Sequence, residues 1–161
     1  MNIFASDSDP VKAAQNLDDK RVVKMILETA QILSTVLHKL GFGRSYIYKP
    51  THSNHPCVIW AGRSRGNFNW LVLHGLALNE EYKERFFKIY PHKSTSVILS
   101  CAEIFKGIPL DALGMTPFPN CTNITGNIST VKKYRAYLTQ TKWRGSNPRW
   151  TVRGKPSWYK G

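Results

Sequence analysis

Apolar residues recur along this chain at helical steps, and no run alternates for long enough to build a sheet core. Between residues 18 and 40, Val22, Val23, Ile26, Ala30, Leu33, Leu37 and Leu40 fall three or four positions apart, and Gly41 stands where a C-terminal cap belongs. The spacing predicts a long amphipathic helix. Ahead of it, Asp9 and Pro10 read as the N-cap and first-turn proline of a short helix through VKAAQNL. Pro56 opens another helix through CVIWAGR, and Ser64 is placed to cap the next, over about residues 67–89. That helix carries Leu71, Leu78, Tyr82, Phe86 and Ile89 on one stripe, with Glu80 and Glu84 spaced to pair with Arg85 or Lys88, and Pro91 ends it. Helices over 94–106, closed by Gly107, and over 127–141 complete the series. Residues 41–56 read as a loop, and IPLDALGMTPFPNCTNITG as a turn-rich connector. The fold class is mainly α: a compact single-domain helical bundle over residues 1–161, with an irregular basic, aromatic-rich segment, 142–161, packed on it.

Charge adds a partner. The chain carries 23 Lys and Arg against 10 Asp and Glu, a formal net charge of +13, and no acid follows Asp111. Such a balance calls for a polyanion, and 42% hydrophobic residues suffice for a folded core beneath the charge. DNA is the expected partner, with RNA and free nucleotides as alternatives. A membrane surface is not expected, because the Pro- and Gly-broken tail offers neither an amphipathic basic helix nor a lipidation site. The start MNIFASDSDP has no signal-peptide pattern, which predicts a cytoplasmic protein, of a bacterial host if a phage encodes it. Cys57, Cys101 and Cys121 are far apart without CxxC spacing, so reduced thiols and no zinc ribbon are expected.

Three constellations could carry chemistry. The tail interleaves Lys142, Trp143, Arg144, Arg149, Trp150, Arg153, Lys155, Trp158, Tyr159 and Lys160, joining phosphate-neutralising cations to rings that stack on bases or wedge a base step. The competing reading has the tryptophans stapling a glycine-rich segment to the helical body. On the long helix, Lys20, Lys24, Glu28, Gln31 and Thr35 form a polar stripe beside the apolar one. It is either a solvated face with a Lys24–Glu28 pair, or a cleft wall where Glu28 is general acid or base and the lysines hold phosphate, with Asp19 sharing or replacing Glu28. In YKPTHSNHP, Lys49, His52, Asn54 and His55 lead into a helix N-terminus where Arg63 or Arg65 could join them around a phosphate, with Asn67 and Trp70 lining the pocket. Either Asn54 or His55 caps that helix. The histidine spacing matches no metal motif, so no metal and no cofactor are expected. Walker, G-x-G-x-x-G and G-x-S-x-G patterns are missing as well.

Two resemblances refine this. DPVKAAQ, DKRVVKMILETAQILST, YKPTHSNHPCVIWAGRSRGNFNWL and the late KW with P-x-W resemble a largely uncharacterised family of small basic phage proteins, over most of the chain. The position of Arg21 is more often histidine in that family, so no role of that histidine carries over. KPSWYKG, residues 155–161, is similar to the end of the T-even phage pyrimidine-dimer DNA glycosylases, the endonuclease V type. That family is small, basic and all-helical, its aromatic WYK-type segment lies near DNA, and it catalyses with an N-terminal threonine amine and a helical glutamate. The resemblance implies DNA contacts at Trp158, Tyr159 and Lys160, and Glu28 as functional analogue of the glutamate. Met1-Asn2 departs from the threonine, and asparagine is too large for routine methionine removal, so the attacking amine is not matched. Together these readings point to a phage-type DNA glycosylase acting on a damaged or modified nucleotide flipped from the stack, with Lys20 or Lys24 holding phosphate or forming a Schiff base and Trp158 and Tyr159 filling the gap. A non-enzymatic, host-interfering nucleic-acid-binding protein and a nucleotide-processing protein are the alternatives.

Overall fold

The computed structural model describes residues 1–141 and 145–161; Lys142, Trp143 and Arg144 of the expected nucleic-acid contacts lie outside the described residues. Six helices and no strand occur among the described residues: α1 (Pro10–Gln15), α2 (Asp19–Lys39), α3 (Pro56–Arg63), α4 (Arg65–Arg85), α5 (Thr95–Lys106) and α6 (Thr130–Gln140). The mainly α class follows. Asp9 and Ser64 are caps as expected, and Asp18 and Ser129 cap α2 and α6, the latter starting at Thr130 and not at 127; all four side chains accept hydrogen bonds from first-turn N–H groups, and Pro10 and Pro56 occupy first-turn positions. No helix among the described residues is long and apolar enough to cross a membrane.

Helix α2 is central. It packs on α3, α4 and α5, while α4 also meets α1, α3 and α5. Val22, Met25, Ile26, Ala30, Leu33 and Leu37 of α2 share one buried cluster with Phe68, Leu71 and Leu78 of α4, Ile98, Cys101 and Phe105 of α5, and Tyr134 and Leu138 of α6. Gly75 lets two helices approach closely, since a Cβ there would sit 2.7 Å from Thr29 Cγ2 and 2.8 Å from Ile98 Cδ1.

The end of α4 differs from the sequence expectation. The helix stops at Arg85 with Phe86 as its cap, so Ile89 lies outside it and is not on a buried stripe. Arg85 is the last helical residue. Its guanidinium is fully buried and donates to Glu81 on its own helix, to the carbonyls of Gln15 and Leu17 at the end of α1, and to Asp19 at the start of α2. It thereby satisfies carbonyls that a helix end leaves without partners. The expected pairs of Glu80 and Glu84 with Arg85 or Lys88 do not form: Glu80 pairs with Lys83, and Glu84 with Arg153 of the tail.

Two predictions follow from these buried groups. Arg85→Met takes one donor from the buried Glu81 and part-buried Asp19 carboxylates and leaves two helix-end carbonyls without theirs, and it should cost about 3–5 kcal/mol in a urea titration, with Arg85→Lys recovering only part. His74 is fully buried, its Nδ1 lies 3.0 Å from the Pro10 carbonyl, its ring stacks on Trp70, and burial pushes its pKa from 6.5 down to about 4. The unfolded chain thus binds the proton first, and the stability that neutral His74 provides is complete above pH 6.5 and lost as pH falls towards 4. Unfolding free energy should drop over that window by roughly 3 kcal/mol from this group. In His74→Asn, whose amide can still donate to Pro10, the drop should flatten; an unchanged slope refutes the assignment.

Candidate active site

The first residues of the chain are laid into the body. Ile3, Phe4, Ala5 and Ser6 are buried. The Asn2 side-chain oxygen accepts from the N–H groups of Ile3 and Phe4, which supports the left-handed φ of 43° at Phe4. The Phe4 ring stacks on Tyr137, meets Tyr134 edge-on and lies 5.5 Å from the Arg21 guanidinium. Arg135 of α6 donates to the Ser6 carbonyl and pairs with Asp7. Helix α6 is therefore fastened to the N-terminal segment.

This segment delivers its first two nitrogens to Glu28. Glu28 is only 9% exposed, and its Oε2 accepts from the Asn2 N–H at 3.0 Å, with the Met1 terminal ammonium 3.9 Å away. A carboxylate so enclosed is costly unless hydrogen-bonded or paired, and here it has both kinds of partner. Lys24 and Gln31, one turn to either side, are half-buried, and their side chains have no hydrogen bond or ion pair among the described residues. Thr35 closes the row: its Oγ1 accepts from the Thr51 N–H and lies 3.2 Å from the Thr51 carbonyl, docking the loop before α3 against α2. Arg21, two turns before Glu28, is held by Asp18 and the Thr141 carbonyl.

From that loop, His55 is the residue that caps α3, its Nδ1 accepting from the Cys57 N–H at 3.1 Å, while Asn54 is exposed. His52 is exposed at a φ of 49°, with Nδ1 2.7 Å from Thr51 Oγ1. Buried Cys57 points its sulfur at Cys121 of the connector, Sγ to Sγ 3.5 Å, and Asn2 Nδ2 donates to the Cys121 carbonyl. The chain start, α2, the head of α3 and the connector thus converge on one place. His55, Cys57 and Cys121 place their ligand atoms within 4.8 Å of one another, and this soft donor set is the one that could hold a zinc-like cation among the described residues. Burial lowers the pKa of His55, with the positive chain terminus and His52 acting in the same direction. The Cys121 thiol is lowered to about 7, first by the hydrogen bond from Cys57 and further by Tyr134 and the terminus, whereas Cys57 is pushed up.

Other expected residues lie elsewhere. Asp19 sits nine residues before Glu28, about 13 Å along the helix, and its carboxylate takes Arg85 and the N–H and hydroxyl of Thr151. It does not share the Glu28 cleft. Lys20 lines a separate cavity of about 800 Å³ with Val23, Phe86, Asn147 and Arg149. Lys49 and Arg63 are exposed, whereas Arg65 turns to the Ile108 carbonyl and the Phe105 ring. Asn67 and Trp70 are buried and bonded to Trp60, Thr116 and Ser8, so they line the core and not an anion pocket.

The tail is stitched to the body. Trp150 donates to the Asn16 carbonyl and packs edge-on against Tyr159, which is itself buried. Arg153 pairs with Glu81 and Glu84, and Arg135 lies over the Trp158 ring. Arg149, Lys155 and Lys160 remain exposed. Met1, Asn2, Cys57 and Cys121 were not singled out as site residues from sequence. The apolar Ile3-Phe4-Ala5 ahead of the Asp9-Pro10 helix start was the available signal that this segment is buried.

The pyrimidine dimer DNA glycosylase family matches the chain over residues 1–95. The match spans α1 to α4, including Glu28, His55 and Cys57, and stops short of KPSWYKG. No curated protein and no solved structure matches the chain.

The thiol geometry gives a direct test. Iodoacetamide alkylation, followed cysteine by cysteine with peptide mass spectrometry, should rise through pH 7 for Cys121. Cys57 and Cys101, the latter raised by burial to about 11, should react only on unfolding. Equal rates at the three sites would show that Cys121 has no special environment.

Proposed function

The chain belongs to the pyrimidine dimer DNA glycosylase family, and on that premise we propose that it cleaves the N-glycosidic bond of a damaged or modified nucleotide in DNA, with Glu28 at the reacting centre. The observation that carries this reading is the Glu28 carboxylate, buried against the first two nitrogens of the chain within the part that matches the family. Cleaving a glycosidic bond builds positive charge on the sugar, and a fixed anion in a site of low polarity stabilises that charge as it develops.

Two nucleophiles fit beside such a group. Glu28 could orient a water, or it could accept the proton of an amine that attacks C1′. In the second case the amine nitrogen bonds to C1′ as the C1′–N bond breaks, and the base leaves with a proton. The glycosylamine so formed opens by breaking the C1′–O4′ bond, O4′ taking the proton held by Glu28, and water hydrolyses the resulting iminium to free the amine. Amines within reach are the Met1 terminus and Lys24 one turn away along α2. The nucleotide must leave the base stack first, and the exposed cations Lys20, Lys49, Arg63, Arg149, Lys155 and Lys160 are available to grip the backbone while it does.

Two measurements test this. End-labelled duplex carrying ultraviolet lesions or phage-type modified bases should yield abasic sites and free base, and Glu28→Gln should lower the rate by about 10²-fold or more while the thermal transition stays intact. Intact bases across all substrates, with tight salt-sensitive binding, would make this a binding protein instead. Borohydride reduction during turnover, followed by peptide mass spectrometry, identifies the nucleophile. An adduct on the N-terminal peptide selects the terminal amine, one on the Lys24 peptide selects that lysine, and base release without any adduct selects water.

A further inference from the structure

The three most exposed large apolar residues among those described lie within four positions of each other: Phe87 at 81%, Ile89 at 87% and Tyr90 at 80%. Such a cluster in water is unfavourable, and proteins of this size seldom keep one without a use. The segment is also well anchored. Phe86 N–H donates to the Tyr82 carbonyl and Lys88 N–H to the Lys83 carbonyl, fixing one end to α4. His92 N–H and the Thr95 hydroxyl both donate to Asn79 Oδ1, fixing the other. Between these anchors Phe87 is held at a φ of 51°, a conformation that costs free energy for a bulky residue.

Charge indicates what covers this tip. Among the described residues Lys88 and Lys93 make no ion pair, and the adjoining cavity of about 800 Å³, which Phe86 lines, adds Lys20 and Arg149, also without ion pairs there. The acids nearby are already engaged: Asp18 by Arg21, Asp19 by Arg85 and Thr151, Glu84 by Arg153. An apolar tip inside a ring of free cations is complementary to a polyanion whose interior is flat and apolar, which is the chemistry of a base stack between phosphate backbones.

We propose that residues 87–90 form a wedge that enters the base stack of duplex DNA, with Phe87, Ile89 and Tyr90 filling the space opened by unstacking and Lys20, Lys88, Lys93 and Arg149 holding the flanking phosphates. The proposal rests on the reading of the chain as a DNA-acting protein. It transfers the wedging role from Trp158 and Tyr159, which pack against the body, to a loop left exposed among the described residues.

The test uses the full chain with Phe87, Ile89 and Tyr90 all changed to Ser, a surface change that should leave the thermal transition in place. Duplexes with 2-aminopurine beside the lesion report unstacking as a rise in fluorescence, and anisotropy reports binding. The unaltered protein should raise the fluorescence several-fold. The triple variant should still bind single-stranded DNA equally well yet give little or no rise on duplex. An undiminished rise in the variant overturns the proposal, as does a change confined to self-association in sedimentation or to binding of anionic vesicles. Because the probe needs no base release, the outcome separates from that of the catalytic reading. Glu28→Gln should unstack the duplex normally, and a protein that unstacks without releasing base keeps its wedge and loses its glycosylase role.

Discussion

Everything in this fold that bears on the site depends on a buried guanidinium. Arg85 ends α4, closes the carbonyls at the end of α1, and takes the carboxylate that begins α2. Three helix ends meet there. Because Glu81 and Asp19 also bind Arg153 and Thr151, the same knot fastens the C-terminal segment. A buried arginine is tolerated only when its donors are matched, and here the partners come from the α1–α2 junction and from its own helix. The position of α2 relative to α4 is thus fixed by polar geometry as well as by the apolar cluster between them. Glu28 inherits its place from that arrangement.

The site forms where the chain start is pressed against α2, beside Ile3, Phe4, Ala5 and Cys57 of the apolar cluster. Asn2 serves twice, its backbone nitrogen on Glu28 and its side chain on Cys121, with its oxygen also closing the turn that carries Phe4. The segment is pinned from outside by α6 through Arg135, Tyr134 and Tyr137. A nitrogen held by this many contacts has lost little further freedom when it meets a substrate, and such preorganisation is what positioning catalysis requires. The thiol pair and His55 form the adjoining wall, where the positive chain terminus helps to depress both His55 and Cys121.

The sequence made the helices legible because they obey a strong periodic rule with distinct punctuation. Asp9-Pro10, Asp18, His55-Pro56 and Ser64 all cap helices, and Glu28 stood out on a polar stripe. Less legible were the contacts between residues distant in sequence. Cys57 and Cys121 lie 64 positions apart and Asn2 lies 26 from Glu28, and spacing along one chain carries no signal for either. Composition misleads in a second way at the tail. Trp150 and Arg153 look the same to a composition count whether they face DNA or staple the segment to Asn16 and Glu81, and only the partner decides. The stripe through Phe86 and Ile89 does not form, because apolar spacing carries no sign of the left-handed turn at Phe87 that ends the helix.

These errors share a cause that bears on function. With 23 cations and 10 acids, most acids are claimed by structural pairs, and the arginines take the buried or part-buried places while many lysines stay free. The division follows from chemistry. A guanidinium presents five donors in a fixed fork and tolerates burial, whereas an ammonium is strongly hydrated and favours the surface. Counting positive charge therefore overstates the DNA-binding surface near Arg21, Arg85, Arg135 and Arg153, and the surface available to phosphate is mapped better by Lys20, Lys24, Lys49, Lys88, Lys93, Lys155 and Lys160. The first two of these stand one turn apart on α2, the second one turn before Glu28.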